Sequence, residues 1–332
     1  MNIRANSGRH MLVKWGVFVC VALLCSLLSA QPAPPGGGST DPKELARRAG
    51  AMMKLVVDVD AVPTPQQQAD GVAACAAFQA AYPHRTALDA GAKRGLGKLG
   101  LRAGWTAGDP DVMLHGAQLM MEAGDNASNV AYAVAWGGLY AGDAAAAKAG
   151  FDALMSSPVG ENGKRLAEWA KTMLPQAAAA GKAVNLKFQQ GGQTIDIANL
   201  RGKVVVLHFW GDEDPSPKDA QALQAFYDAR RQDRSFVMYG LGLAKGGDPA
   251  QAGKARGFTW PQAPGAGLRD RFAGSLTPHL VVISPRGHVM WQGSIAGVPT
   301  LARTADFARR HAASLAKPPA SATQPTQPAR QR

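Results

Sequence analysis

The chain has 332 residues, of which 46% are hydrophobic and 18% charged, and its formal net charge at pH 7 is +12. This length and apolar content fit two globular domains and exclude a largely disordered chain. Half of the net charge comes from the two termini, and the rest forms no basic face of the kind that binds nucleic acid, so we expect no nucleic-acid partner. The terminal basic residues are Arg4, Arg9, Lys14, Lys317, Arg330 and Arg332.

Residues 1–30 predict a signal peptide. Basic residues precede an apolar run from Trp15 to Leu28, which is followed by small residues. The run is shorter than the ~20 residues of a membrane-spanning helix, which favours cleavage and leaves no membrane span in the mature protein. Residues 31–41 then form a Pro/Gly-rich linker. Leu28 is larger than the residue usual at its place in the cleavage site, so an uncleaved membrane anchor is an alternative. A lipoprotein attached through Cys25 is a further alternative. We expect export to the periplasm or cell envelope, or secretion.

The cysteine content restricts the redox chemistry. The chain contains Cys20, Cys25 and Cys75, and the first two belong to the predicted signal peptide. A mature chain with one thiol forms no internal disulfide. Cys75 lies on an apolar face of a predicted helix, so we expect it to be a small buried core residue and not a reactive thiol. That face consists of Val72, Cys75, Phe78 and Tyr82.

Residues 42–183 predict an alanine-rich domain of helical hairpins. Thr64 and Asp109 are each followed by proline, which is typical of a helix start. Glycine-rich stretches at 91–104 and 160–163 predict breaks between helices. No alternating run of β-branched residues interrupts the pattern.

One motif of this helical domain recurs 34 residues later, as Ala107-Gly108-Asp109 and then Ala141-Gly142-Asp143. Large and small residues are regularly spaced around the second copy, at Trp136, Leu139, Tyr140, Ala147, Phe151 and Pro158. The spacing resembles that of a tetratricopeptide repeat, a helical hairpin in which large side chains wedge against small ones. An alanine-rich bundle that contains one such hairpin is the alternative, and both interpretations predict an α-helical fold.

Residues 184–316 predict an α/β domain with a central mixed sheet, and the Pro- and Ala-rich residues 317–332 predict a disordered tail. Two alternating segments flank Gly191-Gly192, as in a β-hairpin. The near-continuous apolar run 204–210 then predicts a strand buried on both faces. The further predicted elements are a helix that begins near Pro217, a parallel strand 236–243, an antiparallel hairpin 279–293 that turns at 285–287, and a final helix 300–316.

Four segments of this domain carry a family resemblance. They are Leu200-Arg-Gly-Lys203, Val206-Leu-His-Phe-Trp-Gly211, Phe258-Thr-Trp-Pro261 and Leu276-Thr-Pro278. In this order they resemble the thioredoxin-like superfamily, specifically its TlpA-like branch of extracytoplasmic thiol–disulfide oxidoreductases and redoxins. The resemblance implies a thioredoxin fold with a cis peptide bond at Thr277-Pro278, which shapes a groove for protein or peptide partners.

The chain departs from this family at the site of its chemistry. The family carries two cysteines at the start of the helix that follows the buried strand, and by spacing Asp214 and Pro217 stand at those positions here. Thiol–disulfide exchange needs a thiolate and a second thiol, which these residues do not supply. The resemblance therefore implies a degenerate site at Trp210, Asp214, Pro217, Thr277 and Pro278, with no catalytic residue and no cofactor.

Three functions remain open from the sequence. The first is a redox-inactive binding or scaffolding protein of the cell envelope with protein or peptide partners. The second is a thiol–disulfide oxidoreductase or peroxidase that acts through Cys75 or through thiols of a partner. The third is a divalent-metal-binding protein that uses the acidic loop, with His208, Asp212 and Asp214 as candidate ligands. An acidic run before a helix also has a simpler explanation, because it caps the helix and complements its dipole. The oligomeric state stays open.

Two further histidines belong to the predicted C-terminal hairpin of this domain. His279 follows the expected cis-proline, and we expect it to be partly buried and hydrogen-bonded. His288 lies beside a tight turn, and we expect it to be solvated.

Overall fold

Helices fill the first half of the described chain, and a sheet with flanking helices fills the second. The computed structural model describes residues 41–59, 61–125, 128–156, 160–211, 215–243, 247–272 and 279–316. The predicted signal peptide and the predicted C-terminal tail lie outside these ranges. No helix within them is long and apolar enough to span a membrane. The helices of the first half are α1 (Pro42–Ala51), α2 (Pro65–Ala81), α3 (Ala90–Ala107), α4 (Pro110–Glu122), α5 (Ser128–Ala141), α6 (Ala144–Ser156) and α7 (Gly160–Ala177).

The predicted helix starts are confirmed by their caps. Thr64 and Gln67 form a reciprocal capping box at the start of α2, in which the Thr64 side chain accepts from the backbone of Gln67. The predicted break at residues 91–104 is wrong, because α3 runs through it without interruption. The glycines of that stretch are needed for close helix packing. A Cβ on Gly100 would lie 2.5 Å from the Phe78 ring, and one on Gly97 would lie 2.7 Å from the backbone oxygen of Gly116.

The hairpins α3–α4 and α5–α6 share one geometry at an offset of 34 residues. Each turns at a glycine with positive φ, +77° at Gly108 and +76° at Gly142. The aspartate after each glycine caps the following helix, accepting from a backbone N–H at 3.0 Å for Asp109 and 2.9 Å for Asp143. The motif noted in the sequence therefore produces the same turn and cap twice.

Glycines also allow the two helices of each hairpin to approach each other closely. A Cβ on Gly116 would overlap the backbone nitrogen of Leu101, and a Cβ on Gly150 would overlap that of Ala135. Gly116 and Gly150 are again 34 residues apart, as are the two residues they contact. The close approach thus depends on the absence of a side chain at equivalent positions of both hairpins.

The second half contains a five-stranded mixed sheet of order β5-β4-β3-β6-β7, preceded by a separate two-stranded hairpin β1-β2. The central strand β3 pairs in parallel with β4 and antiparallel with β6. The expected hairpin at Gly191-Gly192, the βαβ unit and the C-terminal antiparallel hairpin are all present. The elements are β1 (Lys187–Gln190), β2 (Gln193–Asp196), β3 (Val204–Trp210), α8 (Pro217–Asp228), β4 (Phe236–Gly242), α9 (Pro249–Ala255), β5 (Gln262–Pro264), β6 (His279–Ile283), β7 (Val289–Ser294) and α10 (Val298–Ala316).

Both faces of the sheet are buried, which explains the continuous apolar run of β3. Val205, Leu207 and Phe209 contribute to one core with the β1-β2 hairpin. Val204 and Val206 face the opposite core, which also contains residues of α8, α10 and the helical region. Because successive residues of a strand point to opposite faces, every position of a strand between two cores is buried, which favours apolar side chains.

The helical region and the sheet share that second core. The ring of Phe307 on α10 lies 5.5 Å from the ring of Trp105 on α3 and 4.6 Å from that of Tyr140 on α5. The Tyr140 hydroxyl is also 3.1 Å from the hydroxyl of Thr304. We call this contact zone between the helical region and the strand–helix unit β7–α10 the joint.

Strand β7 is an edge strand, and at the joint its backbone is paired by a side chain. The amide group of Gln176 donates to the carbonyl oxygen of Gln292 at 2.7 Å and accepts from the backbone N–H of Gln292 at 3.2 Å. A strand edge inside a protein needs such partners, because unpaired backbone groups are costly to bury.

Four histidines are buried, and two of them lie at the joint. His288 is 5% exposed, so the expectation that it is solvated is wrong; its Nε2 contacts the carbonyl oxygen of Tyr140 at 3.2 Å. His311 contacts the carbonyl oxygen of Gly108 through Nδ1 at 3.1 Å. His208 and His279 are buried within the sheet. Burial lowers the pKa of all four, to about 4 for His311 and about 3 for His208.

Alanine should lower the free energy of unfolding at a glycine that is packed against a neighbouring helix and raise it at a helical glycine with free space around it. Gly116→Ala forces a methyl group against backbone and should lower the free energy of unfolding by about 1–3 kcal/mol. Gly95→Ala, in α3, meets nothing within 4 Å. It should raise that free energy by roughly 0.5–1 kcal/mol through helix propensity. Urea denaturation of both variants measures the difference, and equal effects of the two would contradict the packing role.

The buried histidines should make the protein less stable in acid. Their folded-state pKa values lie below the unfolded value of about 6.5, so the unfolded chain binds more protons as the pH falls. The stability that neutral histidines provide is complete above pH about 6.5 and is lost as the pH falls towards 4.

A His208→Leu variant isolates one contribution to this acid sensitivity. His208 makes no hydrogen bond to a described residue, so the substitution removes a titrating group without removing a bond. Between pH 6 and pH 4 the stability of the variant should depend less steeply on pH, by up to about 1.4 kcal/mol per pH unit. Denaturant titrations at several pH values give both slopes; parallel curves would show that His208 does not contribute.

Candidate functional site

The degenerate redox site predicted from the sequence lies at the carboxyl end of β3, and the structure describes part of it. Trp210 is the last residue of β3 and Pro217 is the first residue of α8. Asp214, Thr277 and Pro278, together with Asp212 of the acidic loop, lie outside the described residues. Their convergence with Trp210 and Pro217 therefore stays a prediction.

Trp210 forms the interior support of this end of the sheet. Its side chain is 2% exposed, and its indole N–H donates to Oε1 of Gln262 at 2.9 Å. The amide group of Gln262 in turn donates to the carbonyl oxygen of Trp260 at 2.8 Å. The guanidinium of Arg256 lies over the Trp210 ring, 5.0 Å from its centroid. Indole, amide and backbone therefore form one hydrogen-bonded chain that fixes Trp210.

Gln262 is a residue of the site that the sequence analysis did not identify. It is 8% exposed, and two glycines leave the space for its side chain. A Cβ on Gly253 would lie 2.7 Å from its Cγ, and a Cβ on Gly240 would overlap its amide oxygen. The signal in the sequence is weak: a single polar residue follows the Trp260-Pro261 segment, and nothing local shows that it meets Trp210.

The start of α8 is capped by its own residues. The Ser216 hydroxyl donates to the Asp219 carboxylate at 2.7 Å and accepts from the backbone N–H of Asp219 at 3.2 Å. Pro217 has no N–H to offer. In the family that the sequence resembles, this helix start stabilises a thiolate. Here its first turn holds a proline and an acidic cap.

His208 lies in an aromatic environment within the sheet. Its ring is 5.1 Å from the ring of Phe258 and 5.6 Å from that of Trp260, in edge-to-face arrangements. Neither ring nitrogen has a hydrogen-bond partner among the described residues. Burial alone accounts for its lowered pKa. Within the described ranges no cluster of three His, Cys, Asp or Glu side chains could hold a metal ion.

His279 begins β6 and lies beside the core that contains Phe209, whereas Phe258 and Trp260 around His208 belong to the other core. It is 3% exposed, and its ring lies 6.3 Å from that of Phe209. Burial is the main cause of its lowered pKa. It is therefore more deeply buried than the partly buried position that we expected.

Cys75 is a buried residue of α2, as expected. It is 5% exposed and packs in a core of the helical region with Ala74 and Phe78. Val72, which we placed on the same face, is 47% exposed, so that part of the predicted face is wrong. Burial raises the pKa of the Cys75 thiol far above its ordinary value, and the charge of Asp109 raises it further.

The arrangement of residues 184–316 is a thioredoxin-like fold: a βαβ unit, then an antiparallel hairpin and a final helix on one mixed sheet. No protein-family model matches the chain, and no curated protein matches it either. Several solved structures are similar to part of the chain.

Three of these structures illustrate the extent of the similarity. A secreted Mycobacterium tuberculosis disulfide oxidoreductase homologous to Escherichia coli DsbE is 18% identical, with a TM-score of 0.31, over 36% of this chain and 95% of that one. The thioredoxin domain of a Bacteroides vulgatus thiol-disulfide oxidoreductase is 17% identical, with a TM-score of 0.29, over 41% and 95%. StoA from Bacillus subtilis is 24% identical, with a TM-score of 0.28, over 34% and 90%.

Replacing Gln262 should show that it supports the site from within. Gln262→Leu keeps most of the volume but leaves the buried Trp210 N–H without an acceptor, which should lower the free energy of unfolding by about 1–3 kcal/mol. Gln189→Leu, at an exposed position of β1, is the matched control and should change this free energy by less than about 0.5 kcal/mol. Denaturant unfolding followed by tryptophan fluorescence measures both variants. Equal stabilities of the two variants would show that Gln262 does not support Trp210.

Proposed function

We propose that this chain is an exported thioredoxin-like protein that binds partner proteins or peptides and has no thiol–disulfide activity of its own. The observation that carries the proposal is the placement of the thiols. Residues 184–316, which form the thioredoxin-like fold, contain no cysteine, and the cysteine of the described helical region is buried.

The chemistry of Cys75 argues against the oxidoreductase and peroxidase alternatives. A thiol attacks a disulfide or a peroxide as the thiolate, and it must be accessible to do so. Cys75 is buried, which limits access to its thiol, and its raised pKa disfavours the thiolate. Thiols of a partner protein would then have to supply all the redox chemistry.

The metal-binding alternative depends on the acidic loop alone. Of its candidate ligands, His208 is enclosed by Phe258 and Trp260 and is 0% exposed. Asp212 and Asp214 lie outside the described residues. A helix-capping role is sufficient to explain acidic residues that precede α8.

Two surfaces would serve partner binding in this proposal. One is the groove of the thioredoxin-like fold near Pro217 and the predicted cis-proline Pro278. The other is the helical region, residues 42–183, which we interpret as tetratricopeptide-like because its hairpins α3–α4 and α5–α6 repeat one geometry at 34 residues. Pro158, which belongs to the spacing that suggested this repeat, lies outside the described residues.

Export to the periplasm or cell envelope is the cellular setting of this proposal. It rests on the basic, apolar and small-residue segments of residues 1–30. An oxidising compartment also favours a mature chain whose remaining thiol is buried.

Insulin reduction by dithiothreitol tests the absence of redox activity. The mature wild-type protein, residues 31–332, should not accelerate insulin precipitation above the uncatalysed rate, because it offers no accessible thiolate. The matched positive control is the double variant Asp214→Cys/Pro217→Cys, which restores a cysteine pair at the family's spacing and should accelerate the reaction. A Cys75→Ser variant should behave as the wild type does. Turnover by the wild type that disappears in Cys75→Ser would overturn the proposal.

A further inference from the structure

An open cavity lies where the parallel strands β3 and β4 begin, beside the C-terminal half of α10. It has a volume of about 500 Å³, which is within the range of small-molecule sites in proteins. Its walls are the turn 201–203 before β3, the turn 233–235 before β4, residues of α10, and Gln68 of α2. Trp210 lies at the other end of β3, so this cavity is separate from the candidate redox site. We call it the basic cavity.

Positive charge is in excess in the basic cavity. Asp233 is the one acidic residue among those that line it, and its carboxylate is already used. It accepts from the Ser235 hydroxyl at 2.7 Å and lies 3.7 Å from the guanidinium of Arg309. The side chains of the other basic residues form no ion pair with a described residue. These other residues are Arg201, Lys203, Arg234 and Arg310.

Arg310 is the buried member of this set. It is 6% exposed, one of its amino groups donates to the carbonyl oxygen of Trp105 at 2.9 Å, and its Nε has no partner among the described residues. Asp306, four residues earlier on α10, pairs instead with Arg230 at 2.8 Å. Burial lowers the pKa of Arg310 to about 10, because removal from water disfavours the charged guanidinium. A buried cation with an unused donor and no counter-ion indicates a place for an anion.

The two termini of the chain do not supply this missing negative charge. Residues 1–40 and 317–332, which lie outside the described ranges, contain no Asp or Glu. Residues 317–332 instead add three basic residues after α10. An external anion is therefore needed where a terminal segment could otherwise have neutralised the cavity.

We propose that the basic cavity binds a phosphate group with at least two negative charges, carried by a small soluble molecule or by a lipid headgroup. Guanidinium groups pair bidentately with phosphate oxygens. The cations come from three segments, and a tetrahedral phosphate presents oxygens in several directions, whereas a carboxylate presents two in one plane. This site does not depend on the function proposed above.

Calorimetry with pyrophosphate and citrate tests the kind of anion. The two ligands carry comparable charge at pH 7, but only pyrophosphate carries it on phosphate groups. The mature protein, residues 31–332, should bind one pyrophosphate per chain at least about tenfold more tightly than citrate. Absence of saturable binding of pyrophosphate, or equal affinity for both ligands, would overturn the proposal.

Sedimentation with phosphatidylcholine vesicles, with and without phosphatidic acid, separates the two sources of the phosphate. Retention by phosphatidic acid vesicles that pyrophosphate reverses would support a lipid headgroup. Pyrophosphate binding without retention by the vesicles would support a soluble ligand.

Variants with matched controls place the binding in the basic cavity. Arg234→Gln, at an exposed position, should weaken pyrophosphate binding about fivefold. Arg165→Gln, at an exposed position of α7, removes the same charge outside the cavity and should leave binding unchanged. Ala313→Glu puts a carboxylate at the exposed edge of the cavity and should weaken binding at least about tenfold, whereas Ala313→Gln, of similar volume, should change it little.

Arg310→Lys tests the buried guanidinium. It keeps the positive charge but removes the planar fork, and it should weaken pyrophosphate binding about tenfold. Near-UV circular dichroism checks that each variant is folded. Because Arg310 is buried, this variant has the greatest risk of misfolding, and the exposed positions keep the proposal testable. Unchanged binding by folded Arg234→Gln and folded Ala313→Glu would overturn it.

Discussion

The structure depends on one constraint: the edge strand β7 is buried against the helical region, so its backbone and the groups around it must find partners there. Gln176 pairs with the backbone of Gln292 on one side, and His288 contacts the backbone of Tyr140 on the other. Around these bonds Phe307 packs between Trp105 and Tyr140. The polar contacts fix the position and the apolar contacts supply most of the favourable free energy, since burial of aromatic area stabilises more than a net hydrogen bond does. Helical region and sheet therefore share a core, and the loss of either would expose the other.

The buried polar groups of the sheet are held by contacts with its own interior residues. Trp210, at the end of the central strand, is held by Gln262, and Gly240 and Gly253 leave the space that this amide needs. His208 lies among aromatic rings and stays neutral because burial lowers its pKa to about 3.

Much of the fold could be predicted from the sequence, because the signals are local. Thr64 and Asp109 mark helix starts through capping, Gly191-Gly192 marks a hairpin, and the run 204–210 marks a strand buried on both faces. The candidate site at Trp210, Asp214 and Pro217 was predicted only from the spacing of the family that the sequence resembles, and it stays a prediction. Gln262 was missed because its partner is 52 residues away in the chain. The glycines of α3 were misinterpreted as a break, because a glycine that ends a helix and one that allows close packing look the same in a sequence.

The sequence by itself determined the order of elements, the start of the thioredoxin-like part and the absence of its cysteine pair, since each follows from residue identity or short-range spacing. Only the tertiary structure decided that the helical region packs on β7 and α10, that His288 is buried and that a cavity lined by aromatic side chains forms beside α10. The physical reason is that these features come from pairs such as Gln176 with Gln292 and Tyr140 with Thr304, which lie more than a hundred residues apart. The local conformational preferences of the residues do not specify such a pairing. It forms when two amphipathic surfaces meet and bury their polar groups together.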